Sequence, residues 1–210
     1  MSEITVVHLL RHGEVENPKG VLYGRLPGYH LSDAGRRMAE LAAEWFTGRD
    51  VVALFSSPLE RARETAAPLA TAFGLPVGVD ERLIEAGNRF EGLSFTRRSL
   101  REPRHWSKFH NPFRPSWGEP YSEIAARMLA AAEQARKAGA GHEVVCVSHQ
   151  LPIFTVRRFV ERRRLWHRPD RRECGLTSVT SFTYTDDRIV AVDYAEPAGP
   201  LARRPGIAGA

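Results

Sequence analysis

The sequence predicts a three-layer α/β/α sandwich built on a mostly parallel central sheet. Three observations lead there. Short apolar runs rich in β-branched residues recur along the chain and read as strands buried on both faces. Segments with the apolar spacing of amphipathic helices lie between them. Strand and helix patterns alternate, as they do where crossover helices join parallel strands. The 210 residues suffice for one large domain with its own core.

Taken in order, Ile4 to Leu10 is the first strand. A helix begins at Ser32-Asp33-Ala34-Gly35, capped by Ser32 or Asp33, and runs to about Phe46 with Met38, Leu41, Ala42 and Trp45 on its apolar side. Val51 to Phe55 is a second strand. Leu59 to Phe73 is a second helix, stopped by Gly74 and Pro76. Val77 to Val79 reads as a short strand. Glu119 to Ala138 is a long Ala-rich helix ended by Gly139 and Gly141. Glu143 to Val147 is a third core strand, and Ile153 to Val160 the helix after it. Ser178 to Tyr184 and Ile189 to Tyr194 form a hairpin about Asp186-Asp187. The expected domain spans 1–196. Within it, 95–120 is rich in Pro and aromatic residues and reads as an inserted cap or a packed surface loop. The tail, 197–210, is rich in Pro, Gly and Ala and is expected to be disordered.

Hydrophobic residues make up 42% and charged residues 26%, an ordinary balance for a soluble globular chain. No run approaches about 18 apolar residues, so no membrane span is expected. The N-terminus lacks the pattern of a secretory signal. Cys146 and Cys174 make neither a disulfide framework nor a zinc site, and a cytoplasmic protein is expected. The net charge of +5 suits an anionic partner without choosing one.

Four segments carry residues suited to phosphate chemistry. Leu10-Arg11-His12-Gly13-Glu14 directly follows the first strand, and ligands in open α/β sheets collect at strand carboxyl ends. A neutral imidazole is nucleophilic near neutral pH, and a guanidinium matches phosphate oxygens. Gly13 is read as letting the backbone pass close to a bound anion. Ser56-Ser57-Pro58-Leu59-Glu60-Arg61-Ala62-Arg63-Glu64-Thr65 opens the second helix, whose free N–H groups and positive potential favour an anion. Arg61 lies on its first turn, while Arg63 points about 200° away. Val147-Ser148-His149-Gln150 follows the third core strand and puts His149 at another carboxyl end. Leu83-Ile84-Glu85 supplies a carboxyl group that keeps its proton more readily beside an anion, a candidate general acid. The bland reading of each segment alone is a surface or structural residue.

Together, Leu-Arg-His-Gly-Glu, Ser-Ser-Pro-Leu-x-Arg-Ala-x-x-Thr, Leu-x-Glu and Val-Ser-His, in that order, resemble the histidine phosphatase superfamily, which includes the phosphoglycerate mutases. The resemblance covers about residues 4 to 195. It implies that His12 is the nucleophile that becomes phosphohistidine. Arg11, Arg61 and His149 would surround the transferring group, and Glu85 would protonate the leaving oxygen and then activate water. Asn17, Tyr23 and Gly24 match substrate-side positions, and Leu31-Ser32-x-x-Gly35 matches the helix start. No metal and no cofactor is implied. Two departures stand out. Gln150 replaces the usual Gly or Ala after the second histidine and is a candidate substrate contact. The Glu85 to Gly92 stretch is one residue shorter than usual, which leaves Glu91 as the alternative acid.

Glu85-Ala86-Gly87-Asn88 lacks the run that glycolytic mutases carry at the acid, and the chain lacks their longer insert. Hydrolysis of a small phosphorylated substrate is therefore preferred to mutase-type phosphotransfer. A reading of another class is nucleic-acid binding through the arginines of 157–172. No nucleic-acid fold motif accompanies them, so a solvated helix end is the favoured reading. The eight histidines form no metal-ligand spacing, and His8 is expected in the core. A homodimer is an expectation from general frequency alone.

Overall fold

A computed structural model describes residues 3–93, 118–199 and 201. The cap expected at 95–120 falls almost wholly outside the described residues, as does most of the tail. Of that tail, Pro197–Gly199 form a turn with Ala198 buried.

The alternating pattern folds as six strands and four helices. They are β1 (Ile4–Arg11), α1 (Asp33–Phe46), β2 (Val51–Ser56), α2 (Glu60–Phe73), β3 (Val77–Val79), α3 (Tyr121–Ala138), β4 (Glu143–Ser148), α4 (Gln150–Val160), β5 (Val179–Thr185) and β6 (Arg188–Ala195). The sheet order is β3-β2-β4-β1-β5-β6. Strands β1 to β4 pair in parallel, and β5 and β6 add an antiparallel edge. Asp186 turns the hairpin with a left-handed φ of 56°.

Strand alternation divides the core into two layers. Val7, Leu9, Val144 and Cys146 face one side, against Ile124, Met128, Ala132 of α3 and Ile153, Val156 of α4. Leu10, Val145 and Val147 face the other, against Ala42, Ala43, Phe46 of α1 and Ala62, Ala66, Leu69 of α2. These are the two helical layers of a sandwich. His8 is buried within it, its Nδ1 2.8 Å from Ser181 Oγ and its Nε2 2.9 Å from Glu143 Oε2.

Three local expectations shift. The buried stripe of α1 is Met38, Ala39, Ala42, Ala43 and Phe46, with Leu41 and Trp45 only half-buried at its margin. Helix α3 starts at Tyr121 because Pro120 stands at its cap. Helix α4 starts at Gln150, three residues before the expected Ile153. Pro152 lies in its first turn, where a missing N–H costs no helical hydrogen bond. Between Ser32 and Asp33, Ser32 is the cap of α1, its Oγ accepting from Gly35 N–H at 3.0 Å.

Candidate active site

Parallel pairing sends the carboxyl ends of β1, β2 and β4 to one edge of the sheet. The register sets Arg11 opposite Ser148 and Ser56 opposite Val147. The residues just beyond, His12, Ser57 and His149, therefore become neighbours although they are far apart in sequence. Backbone bonds fix them: His12 N–H donates to Ser148 O at 3.1 Å and Ser57 N–H to Val147 O at 2.9 Å.

The loop after β1 presses on the start of α1. A Cβ on Gly13 would lie 2.5 Å from Gly35 O, and a Cβ on Gly35 only 2.0 Å from Glu14 O. The close approach that requires a glycine at position 13 is to the first turn of α1. Ser32 Oγ also donates to Glu14 Oε1 at 2.8 Å, which binds the two segments together.

His12 is fully buried. Its Nδ1 lies 2.7 Å from Gly13 O. A carbonyl can only accept, so Nδ1 carries the proton and Nε2 keeps its lone pair. That Nε2 has no partner. Burial foremost, then the charges of Arg61 and Arg11, hold the imidazole well below its ordinary pKa against the pull of Gly13 O. The ring is therefore neutral at neutral pH, with its free nitrogen available to an electrophile.

His149 is equally buried, its ring centroid 5.1 Å from that of His12. Its Nε2 shares a 2.8 Å hydrogen bond with Ser57 Oγ, and its Nδ1 is unpartnered. Burial, then Arg61, His12, Arg11 and Arg127, hold it well below the usual histidine range.

Arg11 donates from Nη1 to Cys174 O at 2.7 Å and leaves Nε unpartnered. Arg61 is fully buried; its Nη2 donates to Gly24 O at 2.6 Å, and its guanidinium lies 4.7 Å from the Tyr23 ring centre. Its Nε and Nη1 have no partner. Among the described residues, neither arginine has a carboxylate at ion-pair distance. Two buried, unbalanced cations are costly unless an anion joins them.

Glu85 is buried with Oε1 accepting from Ala86 N–H at 2.8 Å and Oε2 unpartnered. Burial raises its pKa, opposed by the Ala86 N–H and by Arg61, Arg172 and Arg11. Glu91 is half-buried; it accepts from Asn88 N–H at 3.2 Å and packs against Gly24.

The other sequence-derived residues sit around this group. Asn17 braces its own loop, donating from Nδ2 to Val21 O at 2.9 Å and accepting from Val21 N–H at 3.0 Å. Tyr23 and Gly24 contact the Arg61 guanidinium. Gln150 donates to Cys174 O at 3.2 Å. Sequence reasoning assigned no role at this site to Ser57, Thr65 or Arg172. Ser57 and Thr65 lie inside the second motif, where their hydroxyl groups were the available signal. Arg172 had no signal of its own among eight clustered arginines.

Nine buried side-chain nitrogen and oxygen atoms lack a hydrogen bond among the described residues, and six of them belong to Arg11, His12, Arg61, Glu85 and His149. Native interiors leave few such atoms, so this concentration marks a place built for a polar ligand. Two arginines, two histidines and one carboxyl group match the donor and acceptor pattern of a phosphoryl group better than any metal. Among the described residues, no three His, Cys, Asp or Glu side chains gather as a metal-ligand set. A separate groove of about 750 Å³, lined by Leu129, Phe159, Val160 and Ile189 among others, holds none of these residues.

Residues 7–197 match the family described as the histidine phosphatase superfamily (branch 1). The chain belongs to the histidine phosphatase superfamily. An uncharacterised Mycobacterium tuberculosis protein is 55% identical to this family member over 200 residues, covering 94% of this chain and 99% of the relative. A metal-independent phosphoserine phosphatase of Arabidopsis thaliana is 30% identical over 156 residues, covering 70% of this chain and 65% of that protein. The native structure of a mycobacterial glucosyl-3-phosphoglycerate phosphatase superposes with a TM-score of 0.72 at 26% identity, covering 93% of this chain and 98% of the other. No helix among the described residues is long and apolar enough to cross a membrane.

Proposed function

We propose that this chain is a phosphatase that hydrolyses a small phosphate monoester through a phosphohistidine on His12. The observation that supports it is the set of six unpartnered buried atoms on five residues, two of which, His12 and His149, have ring centroids 5.1 Å apart at the ends of β1 and β4. His12 Nε2 attacks phosphorus as the ester oxygen leaves, and Glu85, whose pKa burial raises, gives that oxygen its proton. Glu85, now ionised, takes a proton from water. The hydroxide attacks the phosphohistidine, and inorganic phosphate departs. Arg11, Arg61 and His149 donate to the equatorial oxygens throughout.

Hydrolysis is favoured over mutase-type transfer by the absence of the mutase run beside Glu85. The phosphatases among the similar proteins lend it further support. The nucleic-acid reading is weakened by carboxylates that already pair three of the cluster's eight arginines. Arg157 pairs with Glu161 and Glu173, Arg163 with Glu161, and Arg168 with Asp170. Turnover of para-nitrophenyl phosphate by the parent and by His12→Ala tests the proposal. Loss of turnover is expected, and parent-level activity in the variant removes His12 from the chemistry. An alkali quench, which preserves a phosphorus–nitrogen bond, should trap label on the parent protein only.

A further inference from the structure

The peptide unit between Glu85 and Ala86 is gripped at both ends. Its N–H, on Ala86, donates to Glu85 Oε1 at 2.8 Å. Its carbonyl, on Glu85, accepts from Arg25 Nε at 2.6 Å. A peptide unit is planar, so a bond that fixes its C=O also fixes the direction of its N–H. Contact therefore runs from Arg25 through one rigid plane to the carboxyl group. Because Oε1 accepts from an N–H, the proton of the neutral acid sits on Oε2. That oxygen is buried and has no hydrogen-bond partner among the described residues. Its aim follows from the plane behind it.

Arg25 is itself held in place. Its Nη2 donates to Glu119 Oε2 at 2.9 Å. Arg127 of α3 takes the same carboxylate with two nitrogens, Nε to Oε1 at 2.7 Å and Nη2 to Oε2 at 3.1 Å. Arg127 Nη1 also donates to Arg82 O, and Glu119 N–H donates to Gly87 O at 3.1 Å. One ion cluster thus holds three carbonyls of the segment 82–87, those of Arg82, Glu85 and Gly87. Charge-assisted bonds from a rigid guanidinium fix direction better than a single flexible ammonium does.

The residue before Arg25 serves the other side of the site. Gly24 O accepts from Arg61 Nη2 at 2.6 Å. Two consecutive residues of one loop therefore hold an arginine of the phosphoryl pocket and the peptide plane behind the acid. We propose that Arg25 is a positioning residue for proton donation: it aims Glu85 Oε2 at the leaving oxygen by holding the Glu85 carbonyl, with Glu119 and Arg127 as its support. The proposal rests on the phosphatase reading and adds to it the device that aligns the acid with the phosphoryl pocket. A misplacement of about 1 Å suffices to cost about a hundredfold in rate.

The test compares kcat/KM for para-nitrophenyl phosphate, whose leaving group departs with little help, and for glycerol 2-phosphate, whose alkoxide needs a proton. Arg25→Gln should raise the ratio of the first to the second by about tenfold. In a Glu85→Gln background the same substitution should leave the ratio within about twofold, because no acid remains to be aimed. Arg25→Lys keeps a charge against Glu119 but lacks the fork, and its ratio should fall between parent and Arg25→Gln. A parent-like ratio in Arg25→Gln overturns the proposal even if both rates drop, since a residue that only braces the fold lowers both together. If Arg25→Gln does not fold, a parent-like ratio in Arg25→Lys overturns it equally. So does a further rise of about tenfold in the Glu85→Gln background, which would show that Arg25 acts apart from the acid. A parent protein that hydrolyses neither ester defeats the phosphatase reading, and the proposal falls with it.

Discussion

Thr65 Oγ1 accepts a hydrogen bond from Gly13 N–H at 3.1 Å and donates one to Arg61 O at 2.7 Å. One hydroxyl group therefore ties the residue after His12 to the helix that carries Arg61. Both sides of the bond are buried, so neither finds water if the hydroxyl is removed. Thr65→Val keeps the shape and strands the Gly13 N–H. It should cost about 1–3 kcal/mol of stability and lower kcat about tenfold or more, because the residue after His12 loses its tie to the helix that carries Arg61. Thermal unfolding and para-nitrophenyl phosphate kinetics check it. A variant with parent stability and parent kcat would show that the bond positions nothing.

The directions of the pKa shifts set the shape of the pH profile. His12 must be neutral to attack, and its pKa is lowered, so the acid limb of kcat lies below the ordinary histidine value. Glu85 must be protonated to release an alcohol, and its pKa is raised, so it can still donate above the usual carboxyl range. Activity on an alkyl phosphate should fall as pH rises through that raised value. Glu85→Gln should abolish the alkaline limb and reduce kcat on alkyl esters by about 10²–10⁴. The loss should be smaller for para-nitrophenyl phosphate, whose leaving group needs little help. An alkaline limb that persists in Glu85→Gln would assign it to another group.

An anion that fills the site should stabilise the protein, because it partners atoms that are otherwise buried without one. Inorganic phosphate or vanadate at about 100 times its dissociation constant adds about 2.7 kcal/mol. For a chain of this size each kcal/mol raises Tm by about 2–4 °C, so a rise of about 5–10 °C is expected. Arg61→Gln should remove most of it. An unshifted Tm in the parent would mean that these atoms do not meet at one ligand.

Most strands and helices were legible from the sequence, because β1, β2 and β4 lie largely inside the sandwich and are rich in apolar residues. The start of α4 was harder, since Pro152 looks like a boundary yet fits the first turn. At the site, the residues at strand ends were readable because parallel pairing brings such ends together whatever their distance in sequence. Arg172 was not readable. Its direction depends on hydrogen bonds with His167 and Gln150, which no local pattern announces. The role of Gly13 was also hidden, since its neighbour Gly35 is brought close only by the packing of α1.

The same buried histidine leaves a signature in stability. The unfolded chain binds a proton on His12 as pH falls below about 6.5, while the folded chain resists it. Protons therefore favour unfolding, and stability declines as pH drops through that window. His12→Gln removes the titrating group without removing the volume. Between pH 7.5 and 5.5 the parent should lose about 1 kcal/mol more than the variant. Glu85 acts in the opposite sense. Its folded pKa is raised, so the unfolded chain ionises first as pH climbs above the ordinary carboxyl value, and stability falls with rising pH. Glu85→Gln should accordingly narrow the loss seen between acid and neutral pH. Urea unfolding of parent and both variants at several pH values separates the two slopes. Parallel curves for parent and His12→Gln below pH 6.5 would show that the imidazole titrates normally in the fold, and the account of a neutral nucleophile would then fail.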